Sequence, residues 1–74
     1  MKEMINVDGI EMTRDEIIKN IREMNFIDKD LTLGYEIYED DCTGCLFEID
    51  FDGKEVTHIF EIDKDFEIIV DILF

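Results

Sequence analysis

The sequence lacks several residue types altogether, and these absences remove whole classes of function. Its 74 residues include no proline, alanine, serine, glutamine or tryptophan, and only one histidine, His58. Without serine or a second histidine, the chain cannot build a nucleophile triad of the serine-hydrolase kind. A glycine-rich phosphate-binding loop is absent as well. We therefore expect a protein without catalytic activity and without a cofactor.

Long apolar runs are also absent. No stretch approaches the roughly 18 consecutive apolar residues that a membrane-spanning helix needs. At the N-terminus, Glu3, Asn6 and Asp8 interrupt what would be the apolar region of a signal peptide. We expect a cytoplasmic protein with reduced thiols. The abundance of isoleucine, aspartate, glutamate and phenylalanine is typical of a low-GC bacterium or one of its phages, in which case the compartment is the host cytoplasm.

Basic residues are scarce. Seven lysines and arginines stand against 21 aspartates and glutamates, so the formal net charge is −14. Direct binding to nucleic acid or to an anionic membrane needs a positively charged surface, so we expect neither. Such a charge keeps a protein soluble and attracts basic partners. Because 46% of the residues are hydrophobic, we expect one folded domain over residues 1–74.

The first third of the chain predicts a hairpin followed by a helix. Residues 5–12 form two short apolar arms around Asp8-Gly9, a pair typical of a type I′ turn. Thr13 and Glu16 have the spacing of a capping box and predict a helix over residues 14–24. The apolar stripe of this helix comprises Ile17, Ile18, Ile21 and Met24.

From Leu33 onward the apolar residues alternate with a period of two, which predicts strands. Asp52-Gly53 is a strong signal for a two-residue hairpin turn and predicts that Ile49 lies opposite Val56. The same register places His58 on the apolar face, as a packed core residue. The predicted fold is α+β: a short N-terminal hairpin, one amphipathic helix packed on a four-stranded antiparallel β-meander.

This register predicts an acidic outer face on the sheet. It places Glu61 opposite Glu67 and Asp50 opposite Glu55, and like charges directly opposed on a sheet cost about 0.2–1 kcal/mol. Such local conflicts with folding tend to mark functional surfaces. An apolar row of Leu46, Ile59 and Ile69 crosses the same face. The candidate partner-binding residues are Glu36, Leu46, Glu48, Asp50, Ile59, Glu61, Glu67, Ile69 and Asp71.

Two functions fit this face. It could be an ordinary solvated surface whose apolar row forms the interface of a homodimeric structural or regulatory protein. Alternatively, carboxylates about 4.8 Å and about 6.8 Å apart on a sheet could imitate nucleic-acid phosphates. In size, charge and lack of catalytic residues the whole chain resembles phage-encoded DNA mimics, which include anti-CRISPR proteins and restriction inhibitors. That resemblance implies an inhibitor that occupies a basic nucleic-acid-binding surface, such as that of a nuclease.

A second alternative rests on the C-x-x-C sequence of Cys42 and Cys45. A zinc site needs four ligands, and His58 is the only other soft ligand in the chain. Zinc would therefore require a carboxylate as the fourth ligand, or two copies of the chain that together supply four cysteines. A redox dithiol and an inert loop are the other interpretations. We expect no bound metal.

Overall fold

The computed structural model of the protein describes residues 3–7 and 9–73 and has an α+β fold with one helix. In chain order the elements are β1 (Met4–Val7), β2 (Ile10–Thr13), α1 (Arg14–Arg22), β3 (Asn25–Asp30), β4 (Tyr35–Glu39), β5 (Leu46–Asp52), β6 (Glu55–Ile62) and β7 (Ile68–Leu73). The predicted fold class is confirmed. Within the described ranges, no helix is both long enough and apolar enough to cross a membrane.

Strands β1 and β2 pair antiparallel in a separate two-stranded sheet. Of the predicted Asp8-Gly9 turn, Asp8 lies outside the described residues. Gly9 has a φ of +86°, which a residue with a side chain rarely adopts. Its N–H donates to Oδ1 of Asn6 at 2.9 Å.

Helix α1 begins where the sequence predicts. The Thr13 hydroxyl accepts from the N–H of Glu16 at 3.3 Å, and the N–H of Thr13 donates to the Glu16 carboxylate at 3.1 Å. This reciprocal pair satisfies backbone donors that the first helical turn cannot satisfy itself. The helix ends at Arg22, two residues before the predicted end. At the other end of the helix, the guanidinium of Arg14 donates to the carbonyl of Val56 and so ties the start of the helix to β6.

The main sheet has five strands in the order β3-β4-β5-β6-β7, so the predicted four-stranded meander is wrong by one strand. The missed strand is β3, whose sequence NFIDKD has no apolar alternation. Its two apolar residues, Phe26 and Ile27, are adjacent, and the pairing with β4 is irregular between Phe26 and Asp28. Because this bulge adds one residue to the strand, it removes the period of two by which a strand is recognised.

The predicted register between β5 and β6 is also wrong. Asp52 pairs with Glu55, so the turn consists of Gly53 and Lys54 rather than Asp52 and Gly53. A bulge then leaves Thr57 without a partner in the ladder, and Ile49 lies opposite Ile59. Ile59 is three positions beyond Val56, the predicted partner. A shift by an odd number of residues moves every side chain of a strand to the other face of the sheet.

The core lies between α1 and one face of this sheet. Ile49 and Ile59 have no exposed surface, and Ile17 and Ile21 of the helix are 4% exposed. Tyr38 and Leu73 complete the cluster, and side chains of β1 and β2 pack against it from the side. Ile59, predicted on the outer face, is therefore a core residue. His58, predicted in the core, is exposed.

Candidate protein-binding face

The sheet face turned away from α1 is the candidate site, and we call it the outer face. Residues that lie directly opposite each other on neighbouring strands share a face of the sheet, so the ladder defines its members. It consists of three rows: Asp30–Tyr35–Asp50–His58, Asp28–Ile37–Glu48–Phe60–Asp71, and Asn25–Glu39–Leu46–Ile62–Ile68.

Most carboxylates of the outer face lie on β3 and β5, and Glu39 on β4 and Asp71 on β7 are the others. Asp28 and Asp30 lie on β3, Glu48 and Asp50 lie on β5, and the side chains of β4 separate the two pairs. Within each strand the two carboxylates are two positions apart, about 6.8 Å, and the two strands are roughly 10 Å apart. None of the described lysines or arginines belongs to the three rows. Among the described residues, the outer face therefore carries carboxylates but no lysine or arginine.

Tyr35 lies on β4, between these two acidic strands, and the pKa of its phenol responds to their charges. Burial raises the pKa of its phenol first, and the charges of Asp28, Asp30 and Glu48 raise that pKa further. Negative charges act in this direction because they oppose the formation of the phenolate anion. Side chains from β3 and from β5 thus act on one group on β4.

Glu48 and Asp50 form a carboxyl pair in this face, in which the pKa of Glu48 is strongly raised. The pKa of Glu48 is raised to about 7, first by burial and then by a side-chain hydrogen bond with Asp50 and by the charge of Asp50. Near neutral pH, Glu48 therefore holds its proton for part of the time. A cation placed against both carboxyls would favour the ionised form and would displace that proton.

Apolar side chains fill the spaces between the carboxylates. Ile37 and Ile62 are each only 2% exposed, although α1, β1 and β2 all pack against the opposite face. Phe60 and Leu46 are half-buried beside them. The rings of Phe60 and His58 are stacked, with centroids 5.4 Å apart and an interplanar angle of 9°. The outer face thus has its own apolar layer, which gives its charged side chains a packed support.

Four of the predicted partner-binding residues do lie on the outer face: Leu46, Glu48, Asp50 and Asp71. Glu36 does not. It lies opposite Ile49 on the helix side, where its carboxylate accepts from the Tyr38 hydroxyl at 2.9 Å and pairs with Arg22 at 3.7 Å.

The predicted pair of Glu61 and Glu67 is wrong. Glu61 lies opposite Phe47 and Val70 on the helix side. Glu67 belongs to the turn before β7, where its N–H donates to the carboxylate of Asp63 at 3.0 Å. Ile69 is the extra residue of a bulge in β7 and is 56% exposed.

The predicted pair of Asp50 and Glu55 is wrong for the same reason of register, since Asp50 lies opposite His58. In the described strands, the directly opposed like charges are instead Asp52 and Glu55, at the exposed end of the hairpin. Sequence reasoning also missed several members of the outer face. The alternation of Tyr35 and Ile37 was a usable signal for β4, whereas nothing in the sequence marked β3. The members that were not predicted as partner-binding residues are Asn25, Asp28, Asp30, Tyr35, Ile37, Glu39, His58, Phe60, Ile62 and Ile68.

Cys42 and Cys45 lie in the loop between β4 and β5, with Cys42 exposed, Cys45 half-buried and both thiols free. The loop is closed by the N–H of Asp40, which donates to the carbonyl of Cys45 at 2.9 Å. His58 pairs with Asp50, five positions along β5 from Cys45, or roughly 17 Å. Within residues 3–7 and 9–73, no three metal-ligating side chains come together. A zinc ion at this loop would therefore need ligands from a second copy.

The outer face combines two acidic strands, a carboxyl pair in which the pKa of Glu48 is raised, and an apolar layer. Its chemistry suits the binding of cations, above all planar guanidinium groups that contact two carboxylate oxygens at once. At the end of the first row, Nδ1 of His58 lies within hydrogen-bond distance of the neighbouring Thr57 hydroxyl, at 3.3 Å. No family model matches the chain, and no curated protein or solved structure shows significant similarity to it.

Proposed function

We propose that this protein binds a basic, nucleic-acid-binding surface of another protein and blocks it, with the outer face as the contact surface. The partner class is a DNA-binding nuclease, and the setting is that of a phage-encoded inhibitor in a bacterial cytoplasm. The proposal assigns the protein no catalytic activity. Its support is the distribution of charge, because all the described lysines and arginines lie outside the three outer rows.

The single observation that carries the proposal is the carboxyl pair of Glu48 and Asp50. The raised pKa of Glu48 means that burial and the neighbouring carboxylate make its charged form costly. The fold keeps this cost at the centre of the sheet, where an amide or a hydroxyl would avoid it. An arginine of the partner would remove the cost through a bidentate, charge-assisted contact.

The apolar layer of the outer face supplies apolar contact area, which charge alone does not. Protein interfaces combine an apolar centre with a polar rim, and electrostatic complementarity mainly gives specificity and association rate. Phe60 and Leu46 are half-buried in the outer face, and Ile68, at the end of the third row, is 56% exposed. A partner that covers the carboxylates would also cover these side chains.

The test begins with immobilised protein and a low-GC bacterial lysate. Captured nucleases are identified, and their DNA cleavage is measured with and without the purified protein. Inhibition should be competitive with DNA and should weaken between about 50 mM and about 300 mM salt, because the contacts are partly exposed ion pairs.

The decisive variant is the double charge reversal Glu48→Lys with Asp50→Lys. It should abolish inhibition, whereas Glu11→Lys, an exposed reversal on β2, should leave most of it. Circular dichroism confirms that both variants are folded. Inhibition that survives the double reversal, or that does not depend on salt, would remove the outer face from consideration as the contact surface.

A further inference from the structure

The two edges of the five-stranded sheet differ in charge, although both carry exposed apolar side chains, which on β3 are Phe26 and Ile27 at 51% and 47% exposure. The two outermost strands are β3 and β7. Consecutive charged residues, Asp28, Lys29 and Asp30, lie on β3, and charges of this kind prevent strands from pairing with an edge. By contrast, β7 begins with Ile68, Ile69 and Val70, which are 56%, 56% and 47% exposed.

The turn before β7 extends this exposed apolar surface. Phe66 is 54% exposed and has a φ of +62°. For a residue with a side chain this left-handed conformation costs about 1–2 kcal/mol, and here the N–H of Phe66 donates to the carbonyl of Asp63 at 2.9 Å. Phe66 therefore adds an exposed aromatic side chain two residues before the start of β7. We call Phe66, Ile68, Ile69 and Val70 the β7 edge patch.

The charges around the β7 edge patch indicate what kind of strand it would accept. Along the chain it is interspersed and flanked by Asp63, Asp65, Glu67 and Asp71, and Lys64 is the basic residue among them. A second copy of this chain would bring four more carboxylates with one lysine, on top of its own net charge of −14. A basic segment would instead place lysine or arginine against Glu67 and Asp71, which favours it over self-association.

We propose that β7 accepts an extended segment of the partner, with alternating basic and apolar residues, as a sixth antiparallel or parallel strand. This inference rests on the proposed function, because it assumes a basic partner. Backbone hydrogen bonds along the free side of β7 would provide affinity, and alternate side chains would provide specificity. Apolar side chains of the segment would cover the exposed Ile69 together with Ile68 or Val70, and a cation would face Asp71 on the outer face.

The probe is the capped peptide Lys-Val-Lys-Val-Lys-Val-Lys, titrated to about 1 mM into ¹⁵N-labelled protein. We expect shift changes and slowed hydrogen exchange at the backbone amides of Ile68 to Asp71. The same peptide with every backbone nitrogen methylated keeps its charge and side chains but cannot donate backbone hydrogen bonds, so it should not bind there. Ile69→Asn should weaken binding about tenfold, the effect of removing one apolar contact.

Ile69 suits this substitution because it is an exposed bulge residue without a partner in the ladder, so the fold should tolerate the change. Leu31→Asn, at an exposed loop position, is the matched control and should bind the peptide like the wild type. The inference is overturned if the methylated peptide causes the same shifts, or if the peptide does not bind near β7. A dimer in sedimentation that Ile69→Asn dissociates would assign the edge to a second copy and overturn it too.

These results separate the inference from the proposed function. If the peptide perturbs only the amides of Glu48 and Asp50, the acidic face recruits basic chains and the strand-addition proposal alone fails. If the peptide pairs with β7 but the double charge reversal leaves nuclease inhibition intact, the proposed outer-face contact fails instead.

Discussion

Replacement of Glu48 by glutamine should stabilise the protein, and the gain should grow with pH. The pKa of Glu48 is about 7 in the folded protein against a reference value of 4.5, so the folded state binds this proton more tightly than the unfolded state. Below pH 4.5 the carboxyl is protonated in both states and costs nothing. As the pH rises from 4.5 through 7, the unfolded state ionises first and stability falls. Above pH 7 the full cost is present.

The size of this effect follows from the same two values. At about 1.36 kcal/mol per pH unit, the difference between about 7 and 4.5 sets a ceiling of about 3.4 kcal/mol. Glu48 is only half-buried, so solvent screening reduces the expected cost to about 1–2 kcal/mol. Glu48→Gln has nearly the same shape, carries no charge and can still donate a hydrogen bond to Asp50. We expect the variant to be more stable than the wild type by that amount at about pH 8.

The assay is urea unfolding followed by circular dichroism at about pH 5 and about pH 8, at constant ionic strength. The lower pH stays above the isoelectric point of 4.1, where loss of net charge promotes association. Glu11→Gln removes one exposed carboxylate from β2 and controls for the general effect of charge. If the stability difference between wild type and Glu48→Gln is the same at both pH values, the account of the carboxyl pair is incorrect.

Two further predictions test the fold itself. Ile59→Ala should lower the free energy of unfolding by about 2–5 kcal/mol, because Ile59 has no exposed surface; a loss below about 0.5 kcal/mol, typical of surface substitutions, would restore the register expected from the turn sequence. Phe66→Gly should raise the free energy of unfolding by up to about 1 kcal/mol, because glycine adopts the observed φ of +62° without strain. Thermal unfolding measures both, and a destabilised Phe66→Gly would show that the ring makes contacts that outweigh the strain.

The features that the sequence predicted correctly depend on local interactions. The capping box of Thr13 and Glu16 involves neighbouring residues only, and the apolar stripe of α1 follows from helical spacing. The alternation in β5 correctly placed Glu48 and Asp50 on one face, because that assignment needs no partner strand. The fold class followed from these elements together.

The features that the sequence did not predict depend on single added residues. The segment 52–54 allows a turn at Asp52-Gly53 or at Gly53-Lys54, and nothing in its composition decides between them. The bulge at Thr57 then changes the register again. Since side chains alternate, these choices decided whether Ile59 and Glu61 face the helix or the solvent. The bulge in β3 concealed an entire strand in the same way, and with it two carboxylates of the candidate site.

The outer face contains buried apolar positions and more exposed acidic positions, and these differ in how well they tolerate substitution. Ile37 and Ile62 are the buried positions. Both are 2% exposed, although the helix packs against the opposite face of the sheet, so their neighbours within the sheet bury them. A smaller or polar residue at either position would weaken the packing under the outer face. The carboxylates around them, including Glu48 directly opposite Ile37, are more exposed than these two isoleucines, so exchanging aspartate for glutamate there disturbs the packing less. Substitutions among the outer carboxylates can therefore change the charge pattern of this face while Ile37 and Ile62 keep its packing, which would suit the inhibitor that we propose.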